Sequence, residues 1–309
     1  MRVRFAKMRL DNALILLTFS LLISSCGGKS EETLKFATVS SDWFNAPFNL
    51  ALNDQQLLSE IKVRKLDFTS GLASKTAVLG GDVDVGLAAL PPLLRDPIAR
   101  QKIVILACYM SSDLVIGVAT KDTANPLAGR IGLIEGTISE IYFKALTDIE
   151  QVGEQSSIVG IRPPDGVTLL ANGSIDTAIV WEPHLHRAEQ LDDVSVTRTS
   201  GLYEVNVCAI AARDTYSAKA DSIDLFLSSL ARASKKISSA PDELRSEVQE
   251  SLPNNIQIGE VWNDVDFTFV NDRVSIQDKL RRELSALQNA ELIEGDINYN
   301  GLLEILDAE

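Results

Sequence analysis

Residues 173–184 read Gly-Ser-Ile-Asp-Thr-Ala-Ile-Val-Trp-Glu-Pro-His. Gly173 can take the left-handed conformation that stops a helix. Ile175–Val180 is an apolar run suited to a buried strand, and Pro183 is placed to open the next helix. The stretch has an earlier counterpart. Leu79-Gly80-Gly81-Asp82-Val83-Asp84-Val85-Gly86-Leu87 aligns with Ala171-Asn172-Gly173-Ser174-Ile175-Asp176-Thr177-Ala178-Ile179. Each copy carries glycine, any residue, aliphatic, aspartate, any residue, small, aliphatic, behind a short helical pattern. The repeat implies two units, each with a buried parallel strand. Asp84 and Asp176 fall near the start of that strand, where turn or capping contacts away from any ligand are expected.

Outward from the repeat, short apolar runs alternate with helical patterns, the mark of parallel sheets covered on both faces. Leu34–Val39, Lys62–Phe68, Val83–Ala88 and Ile103–Cys108 read as strands of the first unit. Ala46–Ile61, Ser74–Leu79 and Leu90–Arg100 read as helical or partly looped. The second unit has strands at Arg130–Ile134, Ser157–Ile161 and Ile175–Val180, with helices at Ser139–Asp148 and Asp165–Ala171. Two extended apolar segments, Asp113–Thr120 and Tyr203–Ala212, bracket it. The expected architecture is α/β with two lobes: 34–120 and 203–309 form the first, 121–202 the second, and two crossing strands join them. Ser222–Ser238, Glu243–Leu252 and Ser275–Asn289 are expected as helices of the return, the last capped by Ser275.

The chain begins differently. Arg2, Arg4, Lys7 and Arg9 precede the apolar run Ala13–Ile23, and Ile23-Ser24-Ser25-Cys26 follows it. Eleven apolar residues fall short of the roughly 20 that span a bilayer, so 1–25 reads as a signal peptide. The small-small-Cys ending resembles a bacterial lipobox. It implies lipidation of Cys26, a tether over 26–33 and an extracytoplasmic protein held to a membrane by lipid. A secreted form with Cys26 as a spare thiol is the alternative.

The 309 residues carry 29 basic against 43 acidic side chains, a formal charge of −14. That balance argues against a nucleic-acid partner, which needs a basic face. Three cysteines exclude a disulfide-stapled scaffold and a Cys-rich zinc site. Cys108 and Cys208 lie on expected strands of the first lobe, where a disulfide and buried free thiols are both open. The two histidines, His184 and His186, give no metal-ligand set. No nucleophile elbow or HExxH pattern is present, so no catalytic constellation is expected.

Four stretches, in order, resemble the nitrate/sulfonate/taurine-type substrate-binding proteins of ABC transporters, type II periplasmic binding proteins whose superfamily includes pyrimidine binders. Ile175–His184 is similar to that family's G-x-IDA-x-x-WEPH segment. Trp43-Phe44-Asn45-Ala46-Pro47-Phe48 resembles its aromatic first helical turn. Ser70-Gly71 with Leu79–Val85 resembles its SG…AL-x-x-G-x-VDV stretch. Gly129–Gly132 with Glu135–Glu140 resembles its GK-x-I-G-V-x-x-G-S-T-S segment. The sequence departs from the pattern at Gly136-Thr137-Ile138, where Gly-Ser-Thr is usual, and lacks the Gly-Leu break around Ile149–Ser156.

The resemblance implies a small, anionic or zwitterionic solute bound in an interlobe cleft, no cofactor, a monomer, and delivery to an ABC permease. An enzyme on the same fold, of the menaquinone-pathway kind, and a ligand-sensing binder are the alternatives. Ligands of open parallel sheets bind beyond the carboxyl ends of the strands, and helix N-termini there suit an anion. The residues expected at the ligand are Ser41, Trp43, Phe44, Ser70, Gly71, Ser74 and Pro91 from the first lobe. From the second they are Gly136, Thr137, Ser139, Trp181, Glu182 and His184. The amides of Gly136 and Thr137 are expected to face the ligand, and Glu182 to pair with a zwitterion's cation. Lys75 and Arg162 are expected at the solvated surface.

Overall fold

A computed structural model describes residues 33–121, 125–150, 152–153, 155–253 and 256–306. The stretch read as a signal peptide, Cys26 and all but the last residue, Thr33, of the segment read as a tether lie outside the described residues. The first sheet contains β1 (Thr33–Thr38), β2 (Lys62–Asp67), β3 (Val85–Ala89), β4 (Ile103–Ser112) and, much later, β10 (Val205–Ala212). The second contains β5 (Ile116–Thr120), β6 (Arg130–Leu133), β7 (Ser157–Gly160), β8 (Thr177–Trp181) and β9 (Ser195–Thr197).

The two sheets share one topology. The first is ordered β2-β1-β3-β10-β4 and the second β7-β6-β8-β5-β9. β1 pairs in parallel with β2 and β3, and β6 with β7 and β8. The fourth strand of each is antiparallel to both neighbours: β10 lies between β3 and β4, and β5 between β8 and β9. Each of these strands is the one the chain enters just after crossing between lobes. The crossings are therefore the short segments 113–115 and 198–204, and the extended runs expected to cross are embedded in the sheets they enter. Asp113 ties the crossings together: its Oδ2 accepts from Ser200 Oγ at 2.8 Å and from the Gly201 amide at 2.6 Å. Burial works to raise its carboxyl, and those bonds to the ionised form together outweigh it and hold the group below the usual range.

The repeat has the same physical meaning in both lobes. Gly81 and Gly173 hold φ of +77° and +72°, the conformation that releases the chain from its helix. Asp84 Oδ2 accepts from the Lys35 amide at 2.8 Å, and the Asp84 amide donates to the Lys35 carbonyl at 2.8 Å. Asp176 Oδ2 accepts from the Arg130 amide at 2.8 Å, and its amide returns to the Arg130 carbonyl at 2.8 Å. Each aspartate thus ties the start of the third strand to that of the first, at the sheet end opposite the cleft. Lys219 completes one pair at 3.0 Å and Arg130 the other at 2.9 Å.

Several elements differ from expectation. The segment 46–61 is two helices, Ala46–Ala51 and Gln55–Glu60, because Asp54 caps the second by accepting from the Gln56 and Leu57 amides. The helix Arg213–Ser239 begins nine residues before its expected start and is interrupted at Lys219. The C-terminal helix Arg273–Asn289 is capped by Asp272, which accepts from the Ser275 amide; Ser275 is not the cap. β9, three residues on a sheet edge, carries too short a pattern to read. Cys108 and Cys208 stand opposite one another on β4 and β10 and form a disulfide. Among the described residues no helix is long and apolar enough to cross a membrane.

Candidate functional site

The carboxyl ends of β1 and β3, the tail of β8 and the crossing into β10 converge on a cavity between the lobes. Asp42, Phe44, Asn45, Ser70, Gly71, Leu72, Leu87, Ala89, Pro92, Val205 and Val207 line it from one side, and Thr137, Ile138 and Trp181 from the other. It has about 40 Å³ of room for the centres of water-sized molecules.

Its floor is one tight turn. After β1 the chain folds into a 3-10 turn, Trp43–Asn45, in which the Asn45 amide donates to the Asp42 carbonyl at 2.9 Å. Asp42 and Asn45, three residues apart, therefore project from one face. Asp42 Oδ1 accepts from Ser41 Oγ at 3.1 Å, and Oδ2 accepts from Trp181 Nε1 at 3.1 Å. The second bond joins the lobes. Burial without a cation pushes the Asp42 carboxyl up to about 8, against the smaller effect of those two donors. Tyr109 Oη donates to Asn45 Oδ1 at 3.1 Å. Asn45 Nδ2 is buried and has no partner among the described residues.

The side walls are the first turns of two ten-residue helices, Gly71–Gly80 and Ile138–Thr147. Their caps are Ser70, accepting from the Ala73 amide, and Thr137, accepting from the Ser139 amide. Both helices present N-terminal ends, where unpaired amides and the partial positive charge of the helix favour negative groups. A second contact joins the lobes beside the cavity: Arg95 pairs with Glu140.

Of the residues expected at the ligand, the structure brings Phe44, Ser70, Gly71, Thr137 and Trp181 together around this cavity. It places the others elsewhere. Ser41 acts on Asp42. Trp43 is fully buried against Phe44 and Trp262, with ring centroids 6.0 and 5.7 Å away. Ser74 accepts the Leu87 amide at 2.9 Å, fixing its helix to β3. Pro92, not Pro91, lines the cavity. The Gly136 amide is taken by Glu140 Oε2 at 2.9 Å, so it does not face a ligand. Ser139 Oγ donates to the Ile179 carbonyl at 2.6 Å and accepts from Ile134, joining helix to strand.

Glu182 is fully buried and paired with Arg198, which also reaches Glu189 at 2.6 Å; no ligand cation is needed there. Burial raises its carboxyl in spite of the guanidinium. The Glu182–Pro183 peptide bond is cis. His184 is buried off the cavity, and burial pushes its imidazole down to about 4, so it is neutral. Lys75 is buried and paired with Asp96 at 2.6 Å, not solvated, whereas Arg162 is exposed and pairs with Asp165.

Sequence reasoning missed Asp42 and Asn45. The signal was their spacing: a carboxylate and an amide three residues apart in a strand-to-helix turn share a face when that turn is helical. The apolar lining residues Leu72, Leu87, Val205 and Val207 carry no such signal, since they read like any strand or helix interior.

No protein-family model matches the sequence, and no curated protein matches it. Solved structures do match over most of the chain. The alkanesulfonate-binding protein SsuA of Xanthomonas axonopodis pv. citri, bound to MOPS, superposes with a TM-score of 0.68 at 13% identity, covering 89% of this chain and 96% of that one. The nitrate-binding protein NrtA of Synechocystis PCC 6803 gives 0.70 at 12% identity, over 90% and 86%. The aliphatic sulphonate-binding protein SsuA of Escherichia coli gives 0.66 at 15% identity, over 88% and 97%. On these likenesses the chain has the two-lobed fold of periplasmic binding proteins.

Proposed function

We propose that the chain is the extracytoplasmic solute-binding lipoprotein of an ABC-type importer. It captures a small organic solute in the interlobe cleft and delivers it to a membrane permease. The observation that carries this is the cavity itself: it draws on both lobes and has hydrogen-bonding groups on its floor and two helix N-termini at its sides. Capture is then closure, as a solute that touches both lobes favours the state in which they meet. Phe44, Ser70, Gly71, Thr137 and Trp181 are the contact residues retained from the sequence. The division expected at 34–120, 121–202 and 203–309 belongs to the same reading with its borders moved to the crossings at 113–115 and 198–204, as do a monomeric state and the absence of a cofactor.

An enzyme on this fold would need a nucleophile or a paired acid and base at the cavity. The hydroxyls that line it, Ser70 and Thr137, are engaged as helix caps, and Asp42 is the one carboxylate there among the described residues; the arrangement suits binding. Anchoring rests on the sequence reading of Cys26. Cys26→Ser is expected to move the protein from the membrane fraction to the soluble fraction of its host; unchanged fractionation contradicts the anchor. Binding is tested by the retention of a solute on the purified chain and its loss when Leu72→Trp fills the cavity.

A further inference from the structure

We infer that the cleft selects a solute carrying an amine, and that Asp42 is the specificity-determining residue that receives it; this rests on the solute-binding reading above. Asp42 is 4% exposed and lines the cavity. Its two bonded donors, a serine hydroxyl and an indole N–H, are both neutral. A carboxylate offers about four lone-pair sites, so these donors leave about half of its accepting capacity free. No lysine, arginine or histidine lines the cavity among the described residues. The charge that acts on Asp42 is that of Asp67, itself held by Ser40 and Thr38, and it disfavours a negative charge.

A buried carboxylate without a cation is costly. A bound ammonium group supplies that cation and accepts the free lone pairs' geometry by donating N–H bonds to them. A purely anionic solute does the reverse. It adds negative charge beside Asp42, holds the carboxyl in its protonated form and leaves the ionised form with no cationic partner. The neighbouring group points the same way: Asn45 Nδ2, buried and without a partner among the described residues, calls for an acceptor on the solute. The floor therefore offers one site for a donor and one for an acceptor within a single turn. The helix N-termini at Ser70–Leu72 and Thr137–Ile138 suit an anionic end. A zwitterion meets all three demands, whereas an anion without an amine leaves Asp42 unmet. The cation site that the sequence suggested at Glu182 is closed by Arg198, and Asp42 takes its place.

The test uses two probes that differ only in the amine: taurine and ethanesulfonate, titrated calorimetrically into the full chain, with nitrate as a third. The expected result is tighter binding of taurine by at least about tenfold, since a hydrogen bond to a charged group is worth that much. Asp42→Asn is expected to erase the difference. Its unliganded melting temperature at pH 7 is expected to equal or exceed that of the wild type, because the variant removes a buried ionisable group, so lost binding is not lost folding. Ethanesulfonate or nitrate binding as tightly as taurine, or taurine binding unchanged by Asp42→Asn, overturns the inference and leaves solute binding intact. If none of the three binds, the solute retained by the chain from its host decides by its mass and composition. A retained amine supports the inference and a retained solute without one overturns it. No retained solute at all overturns both this inference and the binding function.

Discussion

Removing the Cys108–Cys208 disulfide, by reduction or by the double variant Cys108→Ala/Cys208→Ala, is expected to lower stability by about 4–5 kcal/mol. The bond joins residues 100 positions apart. The loop it closes contains the whole second sheet, from β5 to β9, and both crossings. In the unfolded chain that link removes the freedom of a long loop; in the folded chain β4 and β10 are already paired at these residues. The stabilisation is therefore mostly entropic and large. At about 2–4 °C per kcal/mol for a chain of this size, the melting temperature should fall by roughly 8–20 °C. Differential scanning calorimetry with and without reductant measures it. A change of a degree or less would mean that the bond is absent in the isolated protein or that the unfolded chain is already compact there.

The second large effect is on pH dependence. Glu283, on the helix Arg273–Asn289, is buried, and its two oxygens lie 2.9 and 3.1 Å from Tyr203 Oη in the return crossing. Burial first, and the nearby Glu204 charge after the opposing Tyr203 bond, push its carboxyl up to about 8. An unfolded glutamate titrates near 4.5, so between these values the folded chain holds a proton that the unfolded chain has released. Stability from this group is full below pH 4.5 and is lost as pH rises toward 8. The loss is on the order of 4 kcal/mol. Asp42, raised for the same reason, adds a loss of the same sign. Glu283→Gln cannot ionise and keeps a carbonyl for the Tyr203 hydroxyl. It is expected to match the wild type near pH 5, exceed it at pH 8 and flatten the slope between them. Urea unfolding of both proteins at pH 5, 6, 7 and 8 checks this. Parallel pH curves for the two would show that Glu283 is not the group that titrates.

Much of the fold was legible because repetition made it so. The glycine–aspartate–strand pattern occurs twice, and both aspartates do one structural task, tying the third strand's start to the first. The lipobox reading and the order of four family-like stretches pointed to the same architecture. The candidate site was legible in place and only partly in residues. Turns after strands marked the cleft, but residue type alone does not say whether a hydroxyl faces a cavity or a neighbouring backbone. Ser70 and Thr137 reach the cavity, while Ser74 and Ser139 spend their bonds joining helix to strand. Trp-Glu-Pro-His divided in the same way. Trp181 ends β8 at the cavity, whereas Glu182 and His184 turn into the lobe, where Arg198, 16 residues on, neutralises the first. That partner lies on a crossing segment whose path could not be read in advance. Asp42 went unread because its place on the cavity floor depends on the 3-10 turn that follows β1, which residue type does not announce.

The most direct test of the central claim is native mass spectrometry of the full chain purified from its host without denaturation. The account predicts that the wild type carries a small molecule in a one-to-one complex and that Leu72→Trp, which fills the cavity from the mouth of its helix, folds with the same melting transition and carries none. A wild type free of any small molecule after exposure to the host's medium would contradict the account, as would a variant that retains the same solute in equal yield.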